Sequence, residues 1–298
     1  MNNTSKTFII LALILVVSIP LWLFVIVPKL VKMPSDFTYR ADIVSSDNFY
    51  DEAGGVYTGE SLSKTKFSYG VESAQDGVLT VKNVFDVRTV NDDPIFVVER
   101  IYGIDQETGA HVAGFGDKER DGYLFAPRGL KRGEPFTYWH INYDGPAHME
   151  FVGEEDLRGL SVYKYETRYE EVDIDQTNNL SHLPGVPETR GVNLEPHLQV
   201  WVEPVSGRMV KYEDKTVAYF YNQATKDRLH PWNSFHNRYT DDSVARQVRN
   251  AQNAKQTIFL YEWLIPMILG VIALAFFVGF LLSRRVYQQN EVMNNNSV

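Results

Sequence analysis

Two unbroken apolar runs bracket a long polar middle. Phe8 to Val27 and Trp263 to Leu282 each continue for 20 residues without a charge. At about 1.5 Å per residue, a helix of that length crosses the roughly 30 Å hydrocarbon core of a bilayer. A buried core helix rarely runs so far without a charge, so both runs read as transmembrane helices.

The pattern changes between them. Tyr163 to Glu170 alternates aromatic or β-branched residues with charged ones, the period of a strand with one packed and one wet face. Val78 to Val81 and Val84 to Val87 continue it, and Ile95 to Val98 is apolar on both faces, as a central strand is. Hairpins are predicted over Ile101 to Val112, turning at Gln106–Gly109, and over Val200 to Val210, turning before Gly207. Gly, Pro and polar residues make loops of Asp117 to Arg132 and Asn178 to Glu195. Helix returns at the end, capped by Thr240 or Asp242, with an apolar stripe at Val244, Val248 and Ala251. No Pro or Gly interrupts Ser243 to Trp263, so a stiff stalk running into the second membrane helix is expected, bent at Pro266. Pro20 is expected to kink the first helix, and Ala275 with Gly279 offers it a small-residue face.

The segments are therefore a tail (1–7), a transmembrane helix (8–27), a β-rich domain (28–239), a helical stalk (240–262), a second transmembrane helix (263–282) and a tail (283–298). The fold class is a membrane protein with two transmembrane α-helices flanking one mainly-β extracytoplasmic domain, α+β overall. Arg284 and Arg285 directly follow the second helix and place that end in the cytoplasm by the positive-inside tendency. Two crossings then put the amino terminus inside and the middle domain outside. The first helix is read as an uncleaved anchor; a cleaved signal peptide is the alternative, but its apolar stretch is long and no A-x-A-like site follows. Tyr261 and Trp263 read as interfacial anchors.

Charge narrows the partners. Of 29 Lys and Arg only Lys6, Arg284 and Arg285 lie outside residues 28–257, and of 38 Asp and Glu only Glu262 and Glu291, so the middle has ten more acids than bases. Such a surface repels nucleic acid and anionic headgroups. The chain has no cysteine, which excludes disulfides and thiol chemistry.

Several constellations invite a chemical reading. Asp117-Lys-Glu119-Arg-Asp121-Gly122 begins like a calcium loop, but the twelfth position is Arg128 in place of the bidentate Glu, and a solvated loop is the preferred reading. His140 and His148 flank Asp144 at no zinc spacing and read as surface histidines beside aromatic packing, as do His230 and His236. The acid pairs at Glu154–Asp156, Glu170–Glu171 and Asp241–Asp242 are neighbours in sequence, not two carboxylates facing across a cleft. No nucleophile elbow, Walker loop or HExxH is present. No catalytic, cofactor-binding or metal-binding residue is assigned, and no cofactor is called for. Asn179 heads an Asn-Leu-Ser glycosylation sequon.

An ordered set of segments carries a resemblance. It comprises Pro135–Trp139, Phe151–Glu155, Gly159–Tyr163, Leu183–Gly185, Val202–Gly207 and Ser243–Ala245 before the last helix. Together with the two-anchor layout these resemble a prokaryotic family of unknown function often labelled porin PorA family. The resemblance implies a membrane-anchored envelope protein and no reaction. It also leads to an expectation of Asp after the Trp of the Tyr-Trp segment, where this chain has His140. The expected function is a non-catalytic extracytoplasmic binding or scaffolding module whose partner is a protein or an envelope component. The alternatives are a β-sandwich or barrel carrying a lipid or other apolar ligand, an oligomeric channel and a hydrolase. A filled core separates the binding module from the carrier, which needs an enclosed apolar cavity. Stoichiometry is not encoded in the chain.

Overall fold

The computed structural model describes residues 3–169, 171–174 and 186–295. The chain forms two compact units, Met1–Lys32 with Lys255–Val298, and Met33–Ala254.

The first unit pairs helices from the two chain ends. Helix α1 (Asn3–Leu21) passes through a π turn (Trp22–Ile26) into α2 (Val27–Val31). From Lys255 on, the carboxyl-terminal part is the end of α3 (Asp241–Phe259), whose earlier turns belong to the second unit, then a π turn (Leu260–Leu264) and α4 (Ile265–Asn295). The helical stretches Asn3–Val31 and Asp241–Gln289 are long and apolar enough to cross a membrane. They meet antiparallel. Ser5 Oγ lies 2.6 Å from Ser283 Oγ, the Phe8 and Phe276 rings are 6.2 Å apart, and those of Trp22 and Tyr261 6.3 Å apart. Ala12 and Ala273 are buried. The expected small-residue face is thus corrected in one member. Gly279 does meet the Phe8 ring, but Ala275 is exposed, because the contact follows 273, 276, 279 and 283.

Each π turn sits just before a proline, Pro28 or Pro266. A proline has no N–H to give the preceding turn, and a one-residue widening is a way to absorb it. In the second turn the Ile265 N–H reaches back to the Leu260 carbonyl. By the same π spacing the Tyr261 carbonyl would be served by residue 266, which is proline. The Trp22 indole donates to that carbonyl instead, at 2.9 Å.

The second unit is one antiparallel sheet. Its amino-terminal meander is β1 (Thr38–Asp51), β2 (Val56–Gln75), β3 (Val78–Thr89), β4 (Pro94–Asp105) and β5 (His111–Gly116). The carboxyl-terminal strands are β6 (Phe136–His140), β7 (Gly145–Leu157), β8 (Leu160–Arg168), β9 (Val172–Asp173), β10 (Arg190–Glu203), β11 (Arg208–Asn222) and β12 (Arg228–Tyr239). The order is β5-β4-β3-β2-β1-β12-β11-β10-β8-β7-β6, with β9 on β10, so the first and last strands are neighbours. Ile43 of β1 faces Tyr239 of β12, which puts the entry and exit of the chain at one end of the domain.

The outer strands are closed into a barrel by a seam one residue wide. Tyr123 bridges Ala110 on one side and Tyr138 of β6 on the other. The seam has four backbone bonds, from His111 N to Gly122 O, Leu124 N to Gly109 O, Tyr123 N to Thr137 O and Trp139 N to Tyr123 O. Gly122 makes this approach possible, since at φ +75° a Cβ would stand 2.3 Å from the Thr137 carbonyl oxygen.

Alternate residues of the strands fill the interior. Tyr102, Tyr143, Tyr165, Tyr212, Leu79, Ile104 and Leu198 are among its fully buried side chains, in one contiguous core. Val244, Val248 and Ala251 of α3 join that core, as the stripe predicted. Thr240 is the cap, accepting the Ser243 N–H on Oγ1.

Both predicted hairpins form, as β4–β5 and β10–β11. Three local expectations change. Val78 to Val81 and Val84 to Val87 are one strand, β3. Residues 190–195 are the start of β10, not loop, because Arg190 to Glu195 ladders onto Val217–Asn222 despite its polar composition. Ile95 to Val98 is not central: β5 reaches β4 only at Tyr102 and Ile104, so this half of β4 lies at an edge, with Ile95 and Val97 41% and 48% exposed. The sequon at Asn179 and the Leu183–Gly185 segment fall outside the described residues.

Candidate functional site

Inside the barrel the phase of β11 decides which polar groups are buried. Residues 210, 212, 214, 216, 218 and 220 all point inward, so Asp214 enters a row otherwise made of Val, Tyr, Thr, Ala and Phe. A bare carboxylate there is costly unless it is bonded. Asp214 accepts from Asn142 Nδ2 (2.6 Å), Thr216 Oγ1 (2.6 Å) and the Tyr212 hydroxyl (3.2 Å), and His140 Nε2 stands 3.3 Å away. Burial pushes the carboxyl pKa up, but the bonds from His140, Thr216 and Asn142 outweigh it and hold the group below the usual range. Burial and the Asp214 charge drive the Tyr212 hydroxyl far up.

His140 is therefore not a surface histidine. It is fully buried, 4.3 Å from the Tyr143 ring and bonded to the Tyr212 hydroxyl at 3.1 Å. The inward phase of β6 puts it there. The position where the resemblance led to an expectation of Asp thus holds the partner of a buried carboxylate.

Asp144 goes elsewhere. At φ 49° it turns out of β6 and meets Lys118 Nζ at 2.7 Å, Arg100 Nε at 3.3 Å and the Trp139 indole N–H at 2.7 Å. Burial raises its pKa, but the Arg100 charge and the Lys118 and Trp139 bonds pull it below the ordinary value. Arg120 lies against the Tyr102 ring at 4.2 Å and pairs with Asp117 at 2.6 Å. Nearby His111 is held down to about 3 by burial and by the Arg120 charge.

The calcium-loop residues are thus spent on the fold. Asp117 holds Arg120 and the Ile101 N–H, and Glu119 holds the Gly114 N–H. Nor is the segment simply solvated, since Arg120 is buried. His148 is exposed and bonds Thr137, so it does not converge with His140 or Asp144. His230 and His236 are half-buried: His230 stacks on Tyr50 and bonds Arg190, and His236 stands 3.8 Å from Glu213. Among the described residues no cluster of three or more His, Cys, Asp and Glu has metal-binding geometry.

A groove of 820 Å³ opens to solvent beside Tyr143. Its volume is in the range of small-molecule sites. It is lined by the start of β7 (Pro146, His148), by Tyr169 and β9, and by Asn193, Tyr221 and Lys226. Tyr221 takes its place because its partner across the ladder is Gly191, where a Cβ would lie 2.0 Å from the ring. The Tyr221 hydroxyl donates to Asp173, 3.0 Å from each oxygen. Tyr169 donates to the Pro146 carbonyl at 3.3 Å and accepts the His148 N–H at 2.8 Å, and Tyr143 donates to Pro146 at 3.2 Å.

Sequence reading did not single out Asp214, Tyr169, Tyr221, Asp173 or Asn193 as site residues. For Asp214 the signal was present, as an acid in the apolar phase of a strand. For the groove it was not, because its walls come from five separate segments.

A family model described as Porin PorA matches residues 4–282. A comparison with curated proteins finds no match. Among solved structures, an N-terminal dehydratase from the difficidin assembly line is 12% identical over 71% of this chain and 82% of its own, with a TM-score of 0.12, and that likeness carries no weight for fold or activity.

Proposed function

We propose, from the premise that this chain belongs to the Porin PorA family, that it is a membrane-anchored envelope protein. Its barrel is a non-catalytic binding module outside the membrane, and the groove beside Tyr143 is where a partner docks. The filled interior carries the reading. Tyr102, Tyr165, Tyr212 and Leu198 occupy the space a carried lipid would need, which supports a binding module over a carrier. It equally gives no support to conduction through the barrel, whatever the family label. A pore through the helices would need other copies, and the spans lack the ionisable residues of an ion path. Asp214 and His140, the pair most like an acid–base dyad, are fully buried, which supports the non-catalytic reading.

Two measurements test it. Protease added to intact cells should digest the barrel and spare a tag after Arg285; the reverse pattern overturns the orientation. A photo-crosslinking residue at Lys226 of the full chain in cells should give discrete adducts that fade with Tyr169→Ala. Adducts no different from those at Leu62, far from the groove, would overturn the docking site.

A further inference from the structure

The β1–β2 ribbon runs past its neighbours. The ladder of β2 with β3 reaches no further than Ser63 opposite Thr89, and that of β1 with β12 no further than Phe49 opposite Asn233. Residues 51–62, beyond both, are exposed on both faces. The turn between the two strands is tied to the barrel through Glu52. Its carboxylate accepts from Arg190 Nη2 of β10 at 3.0 and 3.2 Å and stands 3.3 Å from His230 Nε2 of β12. The state of that imidazole is fixed by its bonds. Nδ1 lies 2.8 Å from the Pro231 carbonyl, which accepts only, so Nδ1 carries the hydrogen. Nε2 lies 2.8 Å from Arg190 Nη1, which donates only, so Nε2 is the accepting nitrogen. His230 is therefore neutral, and the place left for a proton is the atom that Arg190 holds.

We infer that Glu52, Arg190 and His230 form a proton-operated latch on the ribbon: neutral His230 accepts from Arg190, and protonated His230 donates to Glu52 instead. Two donors cannot bond each other across 2.8 Å, whereas the Glu52 carboxylate is already close to Nε2 and gains a charge-assisted bond. Arg190 keeps its Nη2 bonds to Glu52, so the turn is then held by two cations where it was held by one. The other groups around the ring do not compete. Tyr50 of β1 stacks on it at 5.8 Å, Tyr57 of β2 packs on Tyr50, and Phe220 of β11 stands edge-on at 5.5 Å. On β12 itself Arg228 is turned to Glu195, at 3.1 Å. Imidazoles change charge between about pH 5 and 8, so the ribbon tip is gripped more tightly in acid. Glu52 is 58% exposed, so high salt weakens the grip.

The chain has no cysteine, so Ala53→Cys places a single spin label on the turn of the full chain in lipid nanodiscs. The label's spectrum should shift toward slow motion as pH is lowered from about 8 to about 5. Nitrogen NMR of labelled histidine, with His230 identified by its loss in His230→Gln, should show the Nδ1–H form at the upper end of that range. The label's response should vanish in His230→Gln and shrink in Glu52→Gln. In Arg190→Gln it should grow, because the turn then has no cation at high pH and still gains one at low pH. All three side chains are partly exposed, and thermal unfolding checks that each variant folds. A label indifferent to pH, a label that loosens in acid, a response that survives His230→Gln, or the Nε2–H form at high pH would each overturn the latch.

Discussion

At the scale of single residues, the interior is decided by a few charges that could not be left bare. Asp214 has no exposure and gathers His140, Asn142, Tyr212 and Thr216 around it. Asp214→Ala strands all four, and chemical denaturation should show a loss of about 3–5 kcal/mol, the usual cost of removing one member of a buried, bonded charge network. Asp214→Asn keeps most of the shape and should cost less. His111 gives a separate signature in pH. Its folded pKa is depressed from 6.5 to about 3, so the unfolded chain takes up a proton that the folded one refuses. Its contribution is full above 6.5 and falls as pH drops toward 3, a loss on the order of a few kcal/mol. Asp214 and Asp144, also depressed, lose theirs only below the ordinary carboxylate range. Denaturation of His111→Gln at pH 7 and 5 should show a flatter dependence than the parent; equal slopes would mean His111 is not the titrating group. How much of this was legible depends on where the partner stands in sequence. Alternation along β11 marks Asp214 as inward, but nothing near it names His140, 74 positions earlier in the numbering.

At the scale of elements, the sequence showed its periodic parts. The two apolar helices, the β10–β11 hairpin and the Val244/Val248/Ala251 stripe were readable because each is fixed by neighbours a few residues away. The edge position of Ile95 to Val98 was not, because composition reports apolarity and not which strand lies alongside. The π turns were unreadable in the same way, although their cause, a proline two residues on, was in view. That cause makes a prediction. If the Trp22 indole serves a carbonyl left over by Pro266, Trp22→Phe should destabilise the helix pair by about 0.5–1.5 kcal/mol. In a Pro266→Ala background, where an ordinary amide is restored, the same change should cost almost nothing. A double-mutant cycle in bilayers checks this, and additive effects would separate the tryptophan from the proline.

At the scale of the molecule, eleven of the sheet's strands lie in two meanders that meet at β1 and β12, and the family relationship covers nearly all of the chain. The segments that resemblance rests on lie mainly in the meander that carries the groove, yet the groove itself needed the three-dimensional arrangement to appear. The other meeting of the meanders, at Tyr123, is very different in strength. Long ladders such as β10 on β11 hold on one side, and four backbone bonds around one residue hold on the other. A ring with one weak link fails at that link, so the domain has a built-in place to begin coming apart. Hydrogen exchange should reveal it as an ordering in time, with the amides of His111, Tyr123, Leu124 and Trp139 exchanging well before those of Val200 and Tyr212. Gly122→Ala, which drives a methyl group into the Thr137 carbonyl, should hasten the first group and leave the second nearly unchanged. The barrel would then behave as a sheet that has been rolled up and fastened with a single button.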